Sequence, residues 1–336
     1  MRFLFILILT GYYSALNAQQ APIAIVSANG ATKLVNTLDE AAQQAQTNDI
    51  IYLPAGNLPG QSTTFFTKRV TVIGVGHHPD SASANGKTFI TGNIGFSFGG
   101  AEGSVLDGVH IAGLVYLSAN CKVYRVNAGT LYLSSGWPAG DNLIVEQCIL
   151  RNFYAYESAI TNSKVRNSVI TNVFTTNVST TTFENCILLV SQSGSSPYPL
   201  EQAYECTFRN CIFPNMTSWN SSPCNSFFYN NIMAASELPV LSNAGNASRN
   251  ILGQSPSVTF VQQSGLVYQY DQNYRLKPGS PGINAGTDGK DIGIYGGPSP
   301  YKDGAVPPNP SIRVSQIDSE TNLNGILRVR FNVRVN

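Results

Sequence analysis

A six-residue pattern that returns about every 20 residues sets the tightest limit on what this chain can fold into. An apolar residue, a variable one, Asn or Gln, a small residue and two apolar residues occur as Val145-Glu146-Gln147-Cys148-Ile149-Leu150 and Val165-Arg166-Asn167-Ser168-Val169-Ile170. The pattern continues at Phe183-Glu184-Asn185-Cys186-Ile187-Leu188, Phe208-Arg209-Asn210-Cys211-Ile212-Phe213 and Phe228-Tyr229-Asn230-Asn231-Ile232-Met233, with a degenerate copy at Arg249-Asn250-Ile251-Leu252. Positions 147, 167, 185, 210, 230 and 250 are spaced 20, 18, 25, 20 and 20 apart. Weaker copies lie upstream at Leu106-Asp107-Gly108 and Val123-Tyr124-Arg125. So short a unit cannot bury an apolar face alone and must stack on its neighbours. The period is too short for a propeller blade, and the leucine framework of leucine-rich repeats is missing. It suits one coil of a parallel β-helix, each coil lying about 4.8 Å from the last.

Such stacking turns the repeat into columns. Asparagine tolerates the left-handed backbone of a turn, and its amide can bond to the coils above and below. A second asparagine follows five residues later, at Asn152, Asn172 and Asn215. Cys148, Ser168, Cys186, Cys211 and Asn231 share another column, which favours buried small residues over bridges there. If any of the six cysteines pair, Cys206 and Cys224 are the expected partners. Charged residues are only 12% of the chain and Lys+Arg 20 nearly cancels Asp+Glu 19, so no strong field draws it to nucleic acid or acidic lipid. With three histidines and no CxxC pair, neither a structural zinc site nor another cofactor is expected.

The ends differ from the middle. Arg2, the apolar run from Phe3 to Leu9, and Leu16-Asn17-Ala18 read as a secretory signal over residues 1–18. Seven strongly apolar residues are too few for a span that needs roughly 20. The expected location is the medium, the cell surface or the periplasm, with no transmembrane segment in the mature chain. Thr37 and Glu40 form a capping-box signature ahead of a short helix with Leu38, Ala41, Ala42 and Ala45 on one face. That helix can cover an open solenoid end, where apolar core and unpaired backbone would otherwise meet water. A strand from Asp49 to Leu53 follows, and the coils start near Arg69. The solenoid is expected over residues 19–300. Residues 301–336 are then a proline-rich linker, beginning at Pro298, and two strands, with Leu327 to Val335 alternating apolar and polar.

This order of elements resembles the pectin-lyase-like, right-handed parallel β-helix proteins exported by bacteria, in particular uncharacterised members from Bacteroidetes-type species. The likeness extends to Tyr274-Arg275-Leu276, Ser280-Pro281, Asn284-Ala285-Gly286, Asp291-Ile292-Gly293 and Tyr295-Gly296-Gly297. It implies an all-β, right-handed parallel β-helix with an N-terminal capping helix and a C-terminal two-strand extension. It also implies polysaccharide as a partner, since family members include lyases and hydrolases.

Residues 81 to 270 hold only two aspartates, Asp107 and Asp141, and scattered glutamates. Hydrolysis of glycosides needs two convergent carboxylates, and a calcium-assisted lyase needs several acidic ligands. The leading expectation is therefore a non-catalytic glycan-binding, adhesive or structural module. The alternative is a lyase or hydrolase of acidic polysaccharide. Ahead of the asparagines stands an outward series, Glu146, Arg166, Glu184, Arg209, Tyr229 and Arg249. It reads either as a charge ladder that keeps register or as a groove. In the groove, Arg166, Arg209 and Arg249 would meet acidic sugars while Tyr124 and Tyr229 stack on pyranose faces. His77-His78-Pro79-Asp80 reads as a surface loop, with a metal or acid-base role as the alternative. Asp107 and His110 fall on opposite strand faces, and Asp288-Gly289-Lys290-Asp291 suits a turn more than calcium.

Overall fold

The computed structural model describes residues 22–334 apart from 59–62, 81–85, 97–98, 134–139, 156–159, 172–177, 191–202, 219–224, 242–245, 309–310, 318–325 and 327. The expected signal, Asn172 and Cys224 lie outside the described residues.

The chain is a right-handed parallel β-helix built from three sheets. In the twelve-stranded first sheet the repeat itself forms successive parallel rungs, among them Lys122–Tyr124, Ile144–Glu146, Lys164–Arg166, Thr182–Glu184, Thr207–Arg209 and Phe227–Tyr229. An eleven-stranded second sheet carries His110–Tyr116, Asn127–Leu133, Ile149–Ala155, Val169–Ile170, Ile187–Leu188, Ile212–Phe213 and Ile232–Met233. The third sheet has four short strands from Gly140–Asp141 to Ala203–Tyr204. Each repeat sends one apolar residue inward from the first sheet. Val123, Val145, Val165, Phe183, Phe208 and Phe228 stack as a fully buried column, the last three rings 5.1 Å apart.

From Gly108 onward the chain turns between the first and second sheets through a residue with positive φ in each coil: Gly108, Arg125, Gln147, Asn167, Asn185, Asn210, Asn230 and Arg249. The final member corrects the sequence alignment, which put Asn250 in this column. Ser248, not Arg249, stands beside Tyr229 in the register, so the coil is shifted by one residue. Asn250 instead enters the inner column, where its Oδ1 accepts from Asn231 Nδ2 at 2.9 Å. The inner column is buried as expected. Cys148, Cys186 and Cys211 point their thiols at strand carbonyls such as those of Glu146, Glu184 and Arg209, and Cys186 and Cys211 are not bridged.

At the corner before the first sheet, a second series unseen in the sequence alternates the same way. Asn120, Asn142, Asn162, Thr180 and Glu205 have positive φ, and each is followed by a buried residue: Cys121, Leu143, Ser163, Thr181 or Cys206. Cys206, expected to pair with Cys224, takes its place in this column with its Sγ 3.6 Å from the carbonyl oxygens of both Val178 and Tyr204.

The helix Leu38–Gln44 closes one end, with both bonds of the Thr37/Glu40 capping box formed. At the other end the chain doubles back. Residues 281–307 run along the turn column as a strap, and the turn amides bond to the strap instead of to one another. Asn230 donates to Ala285 O (2.8 Å), Asn210 to Thr287 Oγ1 (3.1 Å), Asn167 to Ile294 O (2.9 Å) and Gly296 O (2.8 Å), and Gln147 to Pro300 O (2.8 Å). Gly296 is required here, since a Cβ would stand 1.8 Å from Asp291 O and 2.7 Å from Asn185 Nδ2. Tyr301, Ala305 and Val306 are buried, so the stretch expected as a linker is packed through residue 306. The expected amide bonding between coils occurs at the other asparagines: Asn152 donates to Thr130 Oγ1 and Asn215 to Leu189 O. The two C-terminal strands, Ser311–Ile317 and Val329–Arg334, form an antiparallel pair.

Candidate functional site

The outward position of the second sheet changes character along the solenoid. From Ile149 through Val169, Ile187, Ile212 and Ile232 it is aliphatic, and residues 260–301 cover it with Phe260, Tyr274, Ile292, Ile294 and Tyr301. Toward the capping helix the same position becomes Asn127, His110 and Phe89. There the cover ends, and a cleft of about 610 Å³ opens between the sheet and residues Leu266, Val267 and Tyr268. Its chemistry comes from His110, Asn127, Arg151, Thr171 and Tyr268, and among the described residues no Asp or Glu lines it.

Lys87 stands behind His110. Its Nζ is 2.6 Å from His110 Nδ1 and 4.9 Å from the centre of the Phe89 ring, whose edge also meets His110. Burial and then the Lys87 charge lower the His110 pKa to about 4, so this imidazole is neutral at pH 7. Lys87, lowered by burial alone but from a high starting value, donates to Nδ1 and leaves the His110 proton on Nε2.

Tyr270 pins the cover beside the cleft. Its Oη accepts from Asn127 Nδ2 (2.7 Å), lies 2.8 Å from His77 Nδ1 and donates to His77 O (3.2 Å). One hydroxyl hydrogen serves one acceptor, so His77 is neutral with its proton on Nδ1. That leaves Nε2 as a buried lone pair with no partner. Burial first, then the neighbouring His110 and His78, hold the His77 pKa well below its ordinary value. The His78 ring meets Tyr270 edge-on at 4.7 Å. On the far side of Tyr268 and Tyr270 a smaller hollow of about 260 Å³ holds Arg275, which ion-pairs with Asp303 at 3.0 Å and lies 4.0 Å over the Tyr295 ring.

The chain's three histidines therefore gather at one place, and His77 and His78 are packed there and do not form the surface loop expected from the sequence. His110 and Asp107 do not pair, but the reason differs from the expected one: the turn at Gly108 puts them in different sheets and not on opposite faces of one strand. Asp107 faces the first sheet's outer side, where Arg125 grips it through Nε and Nη2. Of the residues expected to touch ligand, Tyr124, Arg166, Arg209 and Tyr229 do stand in one outward column of the first sheet, while Arg249 turns the chain instead. Arg166 lies 3.3 Å from Glu146 and 3.4 Å from Glu184, and Arg209 lies 3.7 Å from Glu184, so the arginine charges are answered within the column. None of these residues lines the cleft. Asp288 and Asp291 accept backbone N–H groups of Lys290 and Asn284, as turn residues do.

Fold and cleft together define a β-solenoid protein with a hollow on its second sheet whose described lining carries Arg151 and His110 and no carboxylate. No family model matches the sequence, and neither a curated protein nor a solved structure matches the chain. Among the described residues no helix is long and apolar enough to cross a membrane, and no cluster of His, Cys, Asp or Glu could hold a metal ion.

Proposed function

We propose that this is an exported glycan-binding β-helix, and that its ligand is an acidic polysaccharide held in the His110 cleft. The observation that carries the reading is the cleft's charge: Arg151 and the Lys87/His110 pair stand at a hollow with no carboxylate among the described residues of its lining. A guanidinium matches a uronate or sulfate group in charge and geometry, and Tyr268 supplies a ring of the kind that stacks on sugars. The resemblance to pectin-lyase-like proteins supports a carbohydrate ligand, and the lack of paired carboxylates among the described residues of the cleft argues against glycoside hydrolysis. One feature favours a second reading as a lyase. A neutral imidazole beside a lysine and a tyrosine is the equipment for moving a proton next to a stabilised carboxylate.

Calorimetric titration with oligogalacturonides tests the proposal. Arg151→Ala and Lys87→Met should each weaken binding about tenfold or more, as expected for one charge-assisted contact, and added salt should weaken it further. Binding that survives both changes but is lost in Arg209→Ala and Tyr229→Ala would move the ligand to the first sheet. An unsaturated product absorbing in the ultraviolet would replace binding by lyase activity.

A further inference from the structure

The second sheet's outer face carries a second constellation, well removed from the His110 end of its strands. Phe65, Gly95, Tyr116 and Tyr132 succeed one another in register across four coils, from Thr63–Phe66 through Asn93–Phe96 and His110–Tyr116 to Asn127–Leu133. All of them face outward. Phe65 is 39% exposed, and Tyr116 and Tyr132 are half-buried. Ring centres are 5.6 Å apart from Phe65 to Tyr116 and 5.3 Å from Tyr116 to Tyr132.

Gly95 makes this row possible. A Cβ at that position would lie 2.3 Å from the Phe65 ring, so glycine lets the phenyl lie down on the sheet. An apolar side chain that served only to fill space would not need its neighbour reduced to a hydrogen.

The row ends in a hollow of about 220 Å³ between the sheet and the capping helix, lined by Asp39, Ala42, Gln43, Thr64 and Phe65. Asp39 is fixed there by the hydroxyl of buried Thr64, which donates to its Oδ1. A ring laid flat, a carboxylate held in place and an adjacent amide are the groups that bind a sugar: the ring covers the apolar face of a pyranose, and the carboxylate and amide take its hydroxyls. Asp39 is the acidic group in this lining and, among the described residues, no cation pairs with it, so the charge pattern is opposite to that of the His110 cleft and turns away anionic sugars.

We infer that Phe65, Tyr116 and Tyr132, with Asp39 and Gln43, form a subsite for uncharged glycosyl residues at the capped end of the solenoid. The inference rests on the reading of the protein as a glycan binder but not on the His110 cleft. It implies a ligand of mixed composition, with acidic units at the cleft and neutral units at the aromatic row.

Titration of the full chain with cellohexaose, xylohexaose and mannohexaose, followed by tyrosine fluorescence and calorimetry, tests it. At least one should bind. Phe65→Ala and Asp39→Asn should each weaken that binding about tenfold, while Lys164→Ala on the exposed side of the first sheet leaves it unchanged. Asp39→Asn keeps an acceptor for Thr64, so it stands as a folded control should Phe65→Ala prove unstable. No binding of any neutral hexasaccharide, or binding indifferent to both substitutions, overturns the subsite. Oligogalacturonide binding that depends on Arg151 separates that result from failure of the acidic-glycan reading, because the two probes report on different ends of the sheet.

Discussion

Asn167 performs two tasks with one side chain. Its backbone sits at φ 46, and its amide nitrogen donates to two strap carbonyls, Ile294 O and Gly296 O, at a position 1% exposed. Glycine there would keep the turn and lose both bonds, costing about 1–3 kcal/mol. Aspartate would also keep the turn, but would set a buried carboxylate against two carbonyl oxygens, costing on the order of 3–5 kcal/mol. Urea unfolding should thus rank Asn167→Asp well below Asn167→Gly. Equal losses would mean that the amide matters to the turn alone. The turn column itself was legible because only a few residues accept positive φ and they recur at the repeat spacing. Its bonding partners were not, since Ile294 lies 127 positions away and nothing local to Asn167 points there. The Arg249/Asn250 slip has a similar cause. Aligning on asparagine misplaces a coil whose asparagine belongs to the inner column, and Asn231 had already shown that this column accepts one.

Among the elements, the segment from Gln263 to Asn273 decides whether the cleft exists, and histidines hold it. His77, His78 and His110 all have pKa values lowered chiefly by burial, to about 4 for His110, against about 6.5 in the unfolded chain. Between those limits the unfolded chain binds more protons than the folded one, so stability is complete above about pH 6.5 and declines as pH falls toward 4. Lys87 is lowered too, by burial, so it acts with the same sign, favouring the folded chain as pH rises toward the ordinary lysine value. The melting temperature should therefore fall between pH 7 and pH 4.5, and His110→Gln, which cannot charge, should flatten part of that slope. An unchanged slope in His110→Gln would show that other groups govern the acid response. Fold class was readable because periodicity is a property of neighbouring residues. The site was hidden because His77, His110 and Tyr270 meet only once two coils have stacked and the C-terminal segment has returned, 193 positions after His77.

A solenoid whose coils touch only their neighbours behaves as a one-dimensional array, free to fray or open in sections. The strap alters that expectation for the whole molecule. By bonding to Asn230, Asn210, Asn185, Asn167 and Gln147 it links five successive coils to a single segment. The aliphatic column from Ile149 to Ile232 is buried only while residues 260–301 lie on it. Opening any one of these coils then requires lifting a cover that the others also need, so residues 144–301 should unfold as one unit. In urea this predicts a single steep transition, with the slope that so much exposed surface demands. Gly296→Ala tests the coupling, because its new methyl collides with Asp291 O and Asn185 at the middle of the strap while leaving the coil sequences intact. The variant should show a lower midpoint and a shallower or divided transition, with hydrogen exchange rising together along the strap and the turn column. A lower midpoint at unchanged slope would instead mean that the coils are cooperative without the strap, and that the strap contributes only its own contacts.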